Sequence, residues 1–394
     1  MVLKAMESKG IVREISKKNE PQWLFDRRIA AYEIFKEKPM PSFIYGLNIN
    51  LNIDLDLEKL KIESSRISRE IINKNKEASI IDFNQALKSK EPILKERFMS
   101  AVKAIDKFTS FHHAFVDNLL LVHIPKDAQI EKPIEIISRI DSGIAFDHLI
   151  IVAEDNSSVD IVEDFSSGNG NSYVSKIVEI FAGNNAKVNY GNLQLLDKKS
   201  FQFVKKRAVA GKNSTINWLD CCFGSEITLS EVTTYLDGEG AETNNHGIFF
   251  GNKKQQFDLV ANSIHNAQKT VSDIFTKGAL TDKSKCVYRG LVKIQRNAGG
   301  SNGYQKEDTL LLSPDAAADS IPDLEIDNSD VRCTHGASIG RIDREKMFYL
   351  KSRGMDDKEA TSLYVKGFFE ELIQKMKIPK LRDNMHGLIE ERMG

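Results

Sequence analysis

Hydrophobic and polar positions follow three successive patterns along the chain. As far as residue 112 the apolar residues recur mainly at helical spacing. Pro21 sits where a first helical turn tolerates it, and Trp23, Leu24, Ala30, Ile34 and Phe35 then follow before Pro39 and Pro41 stop the pattern. Between Leu47 and Leu57 the period switches to two, LNINLNIDLDL, which predicts a strand. Its Asn and Asp partners are poor strand formers, so an extended segment laid over a core fits equally. From Asp82 to Lys107 helical spacing returns, with Ala86, Leu94, Phe98, Val102 and Ile105 placed for one buried face.

From 113 to 342 short β-branched runs alternate with small polar turns, and the turns repeat. EDNSSVD starts at Glu154, GNNAKVN at Gly183, GKNSTIN at Gly211 and GEGAETN at Gly238, with a weaker copy, NAQKTVS, around Thr270. A register held near 28 residues predicts one structural unit stacked many times. Each unit holds short strands and no helix, so a parallel β-helix is expected. Antiparallel sandwiches also turn often, but they do not require this register. Beyond Thr270 the steps change length, which predicts irregular last coils. From 343 to 394 the pattern is helical again. Asp343 is placed to cap MFYLKSR, Gly354 to end it, and Asp356 with Glu359 to form a capping box for the next helix. That helix carries two apolar stripes, Ala360/Leu363/Tyr364/Phe368/Leu372 and Val365/Phe369/Ile373/Met376. One stripe is enough for a surface helix, so the second implies burial or an exposed docking face. A last helix follows Pro379.

Charge and composition narrow the function classes. Lys plus Arg number 55 against 56 Asp plus Glu, which gives no electrostatic reason to expect nucleic acid or an anionic membrane. No run is long and apolar enough for a membrane span, and the opening residues hold no apolar signal core, so a cytoplasmic protein with reduced thiols is expected. The four cysteines, Cys221, Cys222, Cys286 and Cys333, are too few for a disulfide framework in 394 residues. CxxC, HExxH and P-loop patterns are absent, so no bound nucleotide is expected.

One stretch does carry candidate chemistry. In DVRCTHGASIGR, Cys333 and His335 alternate with Arg332 and Thr334, so on a strand they share a face about 6.8 Å apart. A thiolate beside a neutral imidazole is half of a metal or sulfur site. Four ligands are usual, so the rest would have to come from elsewhere in the chain or from another chain. The plainer alternative is a small buried thiol and a hydrogen-bonded strand-end histidine. Of Cys221 and Cys222 in INWLDCCFG, one should point into a core and the other out; core filling is expected for both, and for Cys286. Packing is expected of His112 and His113, a turn-capping hydrogen bond of His265, and carboxylate partners of Arg289, Arg332 and Arg341.

Several segments together resemble the SufB/SufD family of iron–sulfur assembly proteins: EPQWLFDRRIAAYEIFKEKPMP, AFVDNLLLVHIPKDAQIEKPIEI, YRGLVKI, DTLLLSPDAAADSIPDLEI, DVRCTHGASIGRID and FYLKSRGMDDKEA. The likeness covers nearly the whole chain. It implies a mainly β protein, a right-handed parallel β-helix core (113–342) flanked by helical N-terminal (1–112) and C-terminal (343–394) regions. It also implies a non-catalytic scaffold working with SufB and with the ATPase SufC. SufC would dock on the C-terminal region, with Phe348, Tyr349, Val365, Phe369 and Ile373 as its candidate contacts. SufB, or a second copy of this chain, would pair through the β-helix. A transient iron–sulfur cluster would be shared at that junction, with His335 as the leading residue and Cys333 as the weaker one. Gly336, and Ala317 at a position where several SufB proteins hold the cluster-building cysteine, favour SufD; the opening segment is closer to SufB, which leaves an ancestral SufB/SufD form open. From the β-helix alone, a polysaccharide-active enzyme or an adaptor that touches no metal are the competing readings.

Overall fold

The computed structural model describes residues 20–45, 49–51, 53, 55–60, 67–376 and 378–393. Its centre is a β-solenoid of about 8 turns with helices at both ends of the chain. Sixteen strands build it in sequence order: β5 (Asn118–Ile124), β6 (Ile134–Ile140), β7 (Gly143–Ala153), β8 (Ser158–Ser167), β9 (Ser172–Ala182), β10 (Lys187–Leu195), β11 (Ser200–Ala210), β12 (Thr215–Cys222), β13 (Ile227–Leu236), β14 (Glu242–Gly251), β15 (Gln256–His265), β16 (Val271–Leu280), β17 (Lys285–Ile294), β18 (Asn302–Leu311), β19 (Ala317–Ile326) and β20 (Arg332–Arg341). Each pairs in parallel with the strand two further on, so even-numbered strands make one sheet and odd-numbered strands the other.

The sequence repeat is the repeat of a turn residue. Asp127, Asn156, Asn185 and Asn213 all have positive φ, at 64°, 59°, 55° and 53°, and Gly240 follows at 72°. Asn, Asp and Gly tolerate the left-handed conformation better than other residues and mark this corner in the first coils; it continues through Lys269 at 56° and Gly300 at 73°. The stacked amides also bond to one another. Asn156 Nδ2 donates to Asp127 Oδ1 at 2.7 Å and Asn185 Nδ2 to Asn156 Oδ1 at 2.9 Å. A second amide ladder runs from Asn244 to Asn217 and from Asn217 to Asn189, both at 2.6 Å.

The interior is apolar toward the first coils, with Ile161, Val188, Tyr190, Ile216 and Trp218 at its centre. The charged groups inside these coils are paired. Lys176 Nζ meets Asp147 at 2.6 Å and Glu163 at 2.7 Å, and Lys206 Nζ meets Asp220 at 2.6 Å. Buried charges survive only with such partners.

The two ends of the solenoid differ. At the first coil, antiparallel strands β3 (Ile67–Ile72) and β4 (Ser79–Asp82) complete the two sheets. Both fall in the stretch expected to be mainly helical, whose described helices are α1 (Gln22–Glu37), α2 (Phe83–Ser89), α3 (Glu91–Arg97) and α4 (Lys107–Phe115). The long helix expected from Asp82 to Lys107 is therefore broken. Pro92 starts a new helix after Lys90, and the backbone N–H groups of Met99, Ala101 and Val102 turn to the buried carboxylate of Glu179. Of the alternating segment, Leu47, Asn48, Asn52 and Asp54 lie outside the described residues. The rest includes a two-residue pairing of β2 (Ile49–Asn50) with β1 (Ile44–Tyr45) and a short 3-10 turn at Leu57–Lys59, while Leu51 packs on Val287. It is largely an extended segment laid over the core.

At the other end β19 and β20 are the outermost strands, and among the described residues nothing pairs beyond them. The last coils are not irregular: β17 to β20 keep unbroken ten-residue registers, and only their connecting turns change length.

Three C-terminal helices, α5 (Arg344–Ser352), α6 (Asp357–Lys375) and α7 (Pro379–Met393), complete the chain. Asp343 caps α5 through the Glu345 and Lys346 amides, and Asp356 with Glu359 forms the capping box of α6. Helices α6 and α7 lie on the outer face of the even-strand sheet. Val365, Phe369, Leu372, Ile373, Leu381 and Met385 pack there on Val162, Leu193, Leu219, Ile248 and Phe275. Gly191 lets α7 approach, since a Cβ at that position would stand 2.4 Å from Leu381 Cδ1. Among the described residues no helix is long and apolar enough to cross a membrane.

Candidate functional site

Cys333 and His335 stand on β20, the edge strand of the open end. Their register partners on β18 are Gly303 and Gln305, and Gln305 in turn pairs with the interior residue Ile274. Both side chains therefore continue inward-facing files, and among the described residues no further coil covers them. Cys333 is half-buried. It packs against the last interior cluster, and a Cβ on Gly303 would lie 3.2 Å from its Sγ. Burial raises its pKa, so the isolated chain holds it as a thiol. His335 is exposed, and its ring makes no hydrogen bond to another described residue.

Beneath them the interior keeps polar atoms without partners. Both side-chain atoms of Gln305 and Oε2 of Glu307 are buried and unsatisfied. Glu307 is pushed up to about 7, mainly by burial. Unpaired groups of this kind are rare, because each forfeits its hydration with nothing in return. The open end thus offers an imidazole and a thiol at its rim, with a buried amide and a buried carboxyl beneath them. Cys333 and His335 supply two ligands, fewer than a metal centre needs, so the pair is an incomplete set.

The other cysteines are elsewhere. Cys221 faces outward under the C-terminal helices and Cys222 inward, and burial raises both thiols far above their usual range. Cys286 is buried in the same way. His265 is fully buried and bonded to Thr270 Oγ1 at 2.7 Å and Ser272 Oγ at 2.8 Å. Arg289 pairs with Asp258 at 2.6 Å.

The expected docking residues separate into two groups. Val365, Phe369 and Ile373 are not available to a partner. They are at most 1 % exposed, because the even-strand sheet presents its own apolar outer face and takes up that stripe. Phe348 and Tyr349 are free, at 75 % and 56 % exposure. Leu363, missed as a surface contact, joins them at 46 %. Tyr349 and Leu363 line a cleft of about 710 Å³ between α5 and α6, together with Leu350, Tyr364 and Phe368. Helix α5 buries no residue fully, and only Met347 and Leu350 are half-buried, so most of its apolar surface stays open.

The chain matches one known protein family. Residues 136–368 match the family model described as SUF system FeS cluster assembly, SufBD core domain. The chain is similar to the iron-sulfur cluster assembly SufBD family proteins of Staphylococcus haemolyticus, Staphylococcus epidermidis and Staphylococcus aureus. Each is 30 % identical over 415 aligned positions that take in 94 % of this chain and 89 % of the relative.

Proposed function

The chain belongs to the SufBD family of SUF-system iron–sulfur cluster assembly proteins, and we propose that within it the protein is a SufD-like scaffold subunit with no catalysis of its own. Its open β20 edge pairs with SufB or with a second copy. A nascent iron–sulfur cluster, the cargo, forms across that junction, while SufC docks on the exposed face of α5 and α6 and supplies ATP hydrolysis.

One observation carries this reading. An exposed histidine and a half-buried cysteine share a face on an edge strand that, among the described residues, pairs only with β18. Edge strands offer unpaired backbone groups and are usually covered or disrupted. This one instead carries the chain's incomplete ligand pair, and both incompletenesses are met by the same event, arrival of another chain's edge. His335 then contributes a ligand or a proton-transfer group, and Cys333, held as a thiol by burial, contributes less. Ala317, at the start of β19, supports a subunit that needs its partner to build a cluster.

The experiment is anaerobic reconstitution with iron and sulfide, followed by visible charge-transfer absorbance, for the chain alone and for its complex recovered from native extract. The expected result is cluster absorbance only in the complex, with SufB and SufC co-purifying. Full absorbance in a homodimer would favour the ancestral SufB/SufD form. A complex that never takes up iron would leave a metal-free adaptor.

A further inference from the structure

A second group of metal-binding side chains lies far from the open end, where the N-terminal helices cover the first coils. His112 and His113 are consecutive on α4, and His148 stands on β7 beneath them; all three are fully buried. One ring nitrogen from each lies within 4.8 Å of the other two. The opposite nitrogen of each ring is already fixed. His148 Nε2 bonds Glu179 Oε2 at 2.9 Å, His113 Nε2 bonds the Val102 carbonyl at 2.7 Å, and His112 Nδ1 bonds Ser175 Oγ at 2.9 Å. A carboxylate, a carbonyl or a hydroxyl on the far ring nitrogen is the arrangement that orients histidine ligands around a metal.

One distance suits a metal as well as the hydrogen bond it makes here, and one atom goes beyond what a packed hydrogen-bond network requires. His112 Nε2 and His148 Nδ1 are 3.3 Å apart, which is also the edge of a tetrahedron with metal–nitrogen bonds of about 2.0 Å. His113 Nδ1 is buried with no hydrogen-bond partner, a lone pair with no donor to receive. The surroundings are apolar, with Phe98 4.8 Å from the His148 ring by centroid. Glu179 accepts from three backbone N–H groups as well as from His148, and among the described residues no Lys or Arg forms a salt bridge with it.

We infer that His112, His113 and His148 form a three-imidazole site for a divalent ion of the zinc class, distinct from the cluster cargo, that fixes the N-terminal helices to the solenoid wall. Binding needs no net proton release. His148 keeps its proton on Nε2 toward Glu179, His113 on Nε2 toward Val102, and His112 carries its own on Nδ1 toward Ser175. His112 Nε2, His113 Nδ1 and His148 Nδ1 are then bare, and the fourth position falls to water.

The test uses the full chain carrying Cys333→Ala and His335→Ala, so that the open-end pair does not contribute. It is expressed with added zinc, assayed for bound metal, then unfolded and refolded with Co²⁺ as the optical probe. About one metal per chain and the visible bands of tetrahedral Co²⁺ are expected. His113→Gln keeps an amide donor for Val102 but puts an amide oxygen, a poorer ligand for this metal class, in place of the imidazole nitrogen, and should weaken binding by at least the roughly 10–100-fold that loss of an outer-shell partner costs. Removing the metal should speed amide exchange over 98–115 in the parent protein and leave the variant unchanged. Absence of metal from both preparations of the parent would overturn the site, as would equal binding by His113→Gln and His148→Gln. If the variants do not fold, the parent's Co²⁺ spectrum and stoichiometry decide by themselves.

Discussion

Replacing Phe369 by Ala and, separately, Phe348 by Glu tests how the C-terminal helices divide their two faces. Phe369 is fully buried between α6 and the even-strand sheet, in a cluster with Leu219, Phe250 and Phe275. Truncating a buried Phe removes its transfer free energy and leaves a cavity, together about 3–5 kcal/mol. Loss on that scale is a large part of the stability of an ordinary domain and should fall first on the attachment of α6 and α7. Phe348 is 75 % exposed on a helix that buries nothing, so a charge there should change stability by less than about 0.5 kcal/mol. If SufC seats on this face, the same charge meets a desolvated contact, and a central aromatic of that kind is worth about 2 kcal/mol or more, a loss of affinity of roughly 30-fold. Urea midpoints and amide exchange over 357–393 give the stability arm, and calorimetric titration with SufC gives the binding arm. The reasoning fails if Phe369→Ala leaves the midpoint and the exchange unchanged, or if Phe348→Glu unfolds the helices rather than weakening SufC.

Three further outcomes follow from the interior. Glu307, held at about 7 by burial against an unfolded value near 4.3, keeps a proton that the unfolded chain has lost. Native stability therefore falls as pH rises through that window, by on the order of 3 kcal/mol, and Glu307→Gln should flatten the fall in denaturant titrations from pH 4 to pH 8. Asn217→Ala breaks the amide ladder on both sides, leaving Asn189 without a donor and Asn244 without an acceptor. It should cost about 1–3 kcal/mol by the same assay. Gly278→Ala places a Cβ 1.9 Å from Phe249 Cζ in the interior, and thermal unfolding should report a loss of about 1–3 kcal/mol or more.

The solenoid was legible because its period is carried by individual residues. Asn156, Asn185, Asn213 and Gly240 each take the left-handed corner, and few other residue types would mark it as clearly. Helix caps at Asp343, Asp356 and Glu359 were legible for the same reason, since a cap is a local contact. The partner of the second stripe on α6 was not. It is set by Val162, Leu193, Leu219 and Phe275, outward residues on four strands that alternate with an equally apolar inward set. A strand buried on both faces shows a near-continuous apolar run and does not reveal that a helix covers it. The same limit hid the histidine cluster. His112 and His148 are 36 residues apart and meet only because α4 crosses the odd-strand sheet. At the open end Cys333 and His335 were visible as a pair, but the unpaired atoms of Gln305 and Glu307 below them come from another coil.

The central claim is that the open end of this chain supplies half of a cluster-assembly site. It is tested most directly by iron and sulfide content, per complex, after reconstitution of wild type, His335→Ala and Cys333→Ser with SufB and SufC. His335 is exposed and Cys333 half-buried and protonated, so both variants should assemble with unchanged mass. His335→Ala should then hold little or no cluster, and Cys333→Ser should keep most of it. Full iron and sulfide in His335→Ala would contradict the account and leave His335 as a surface residue at the end of a strand.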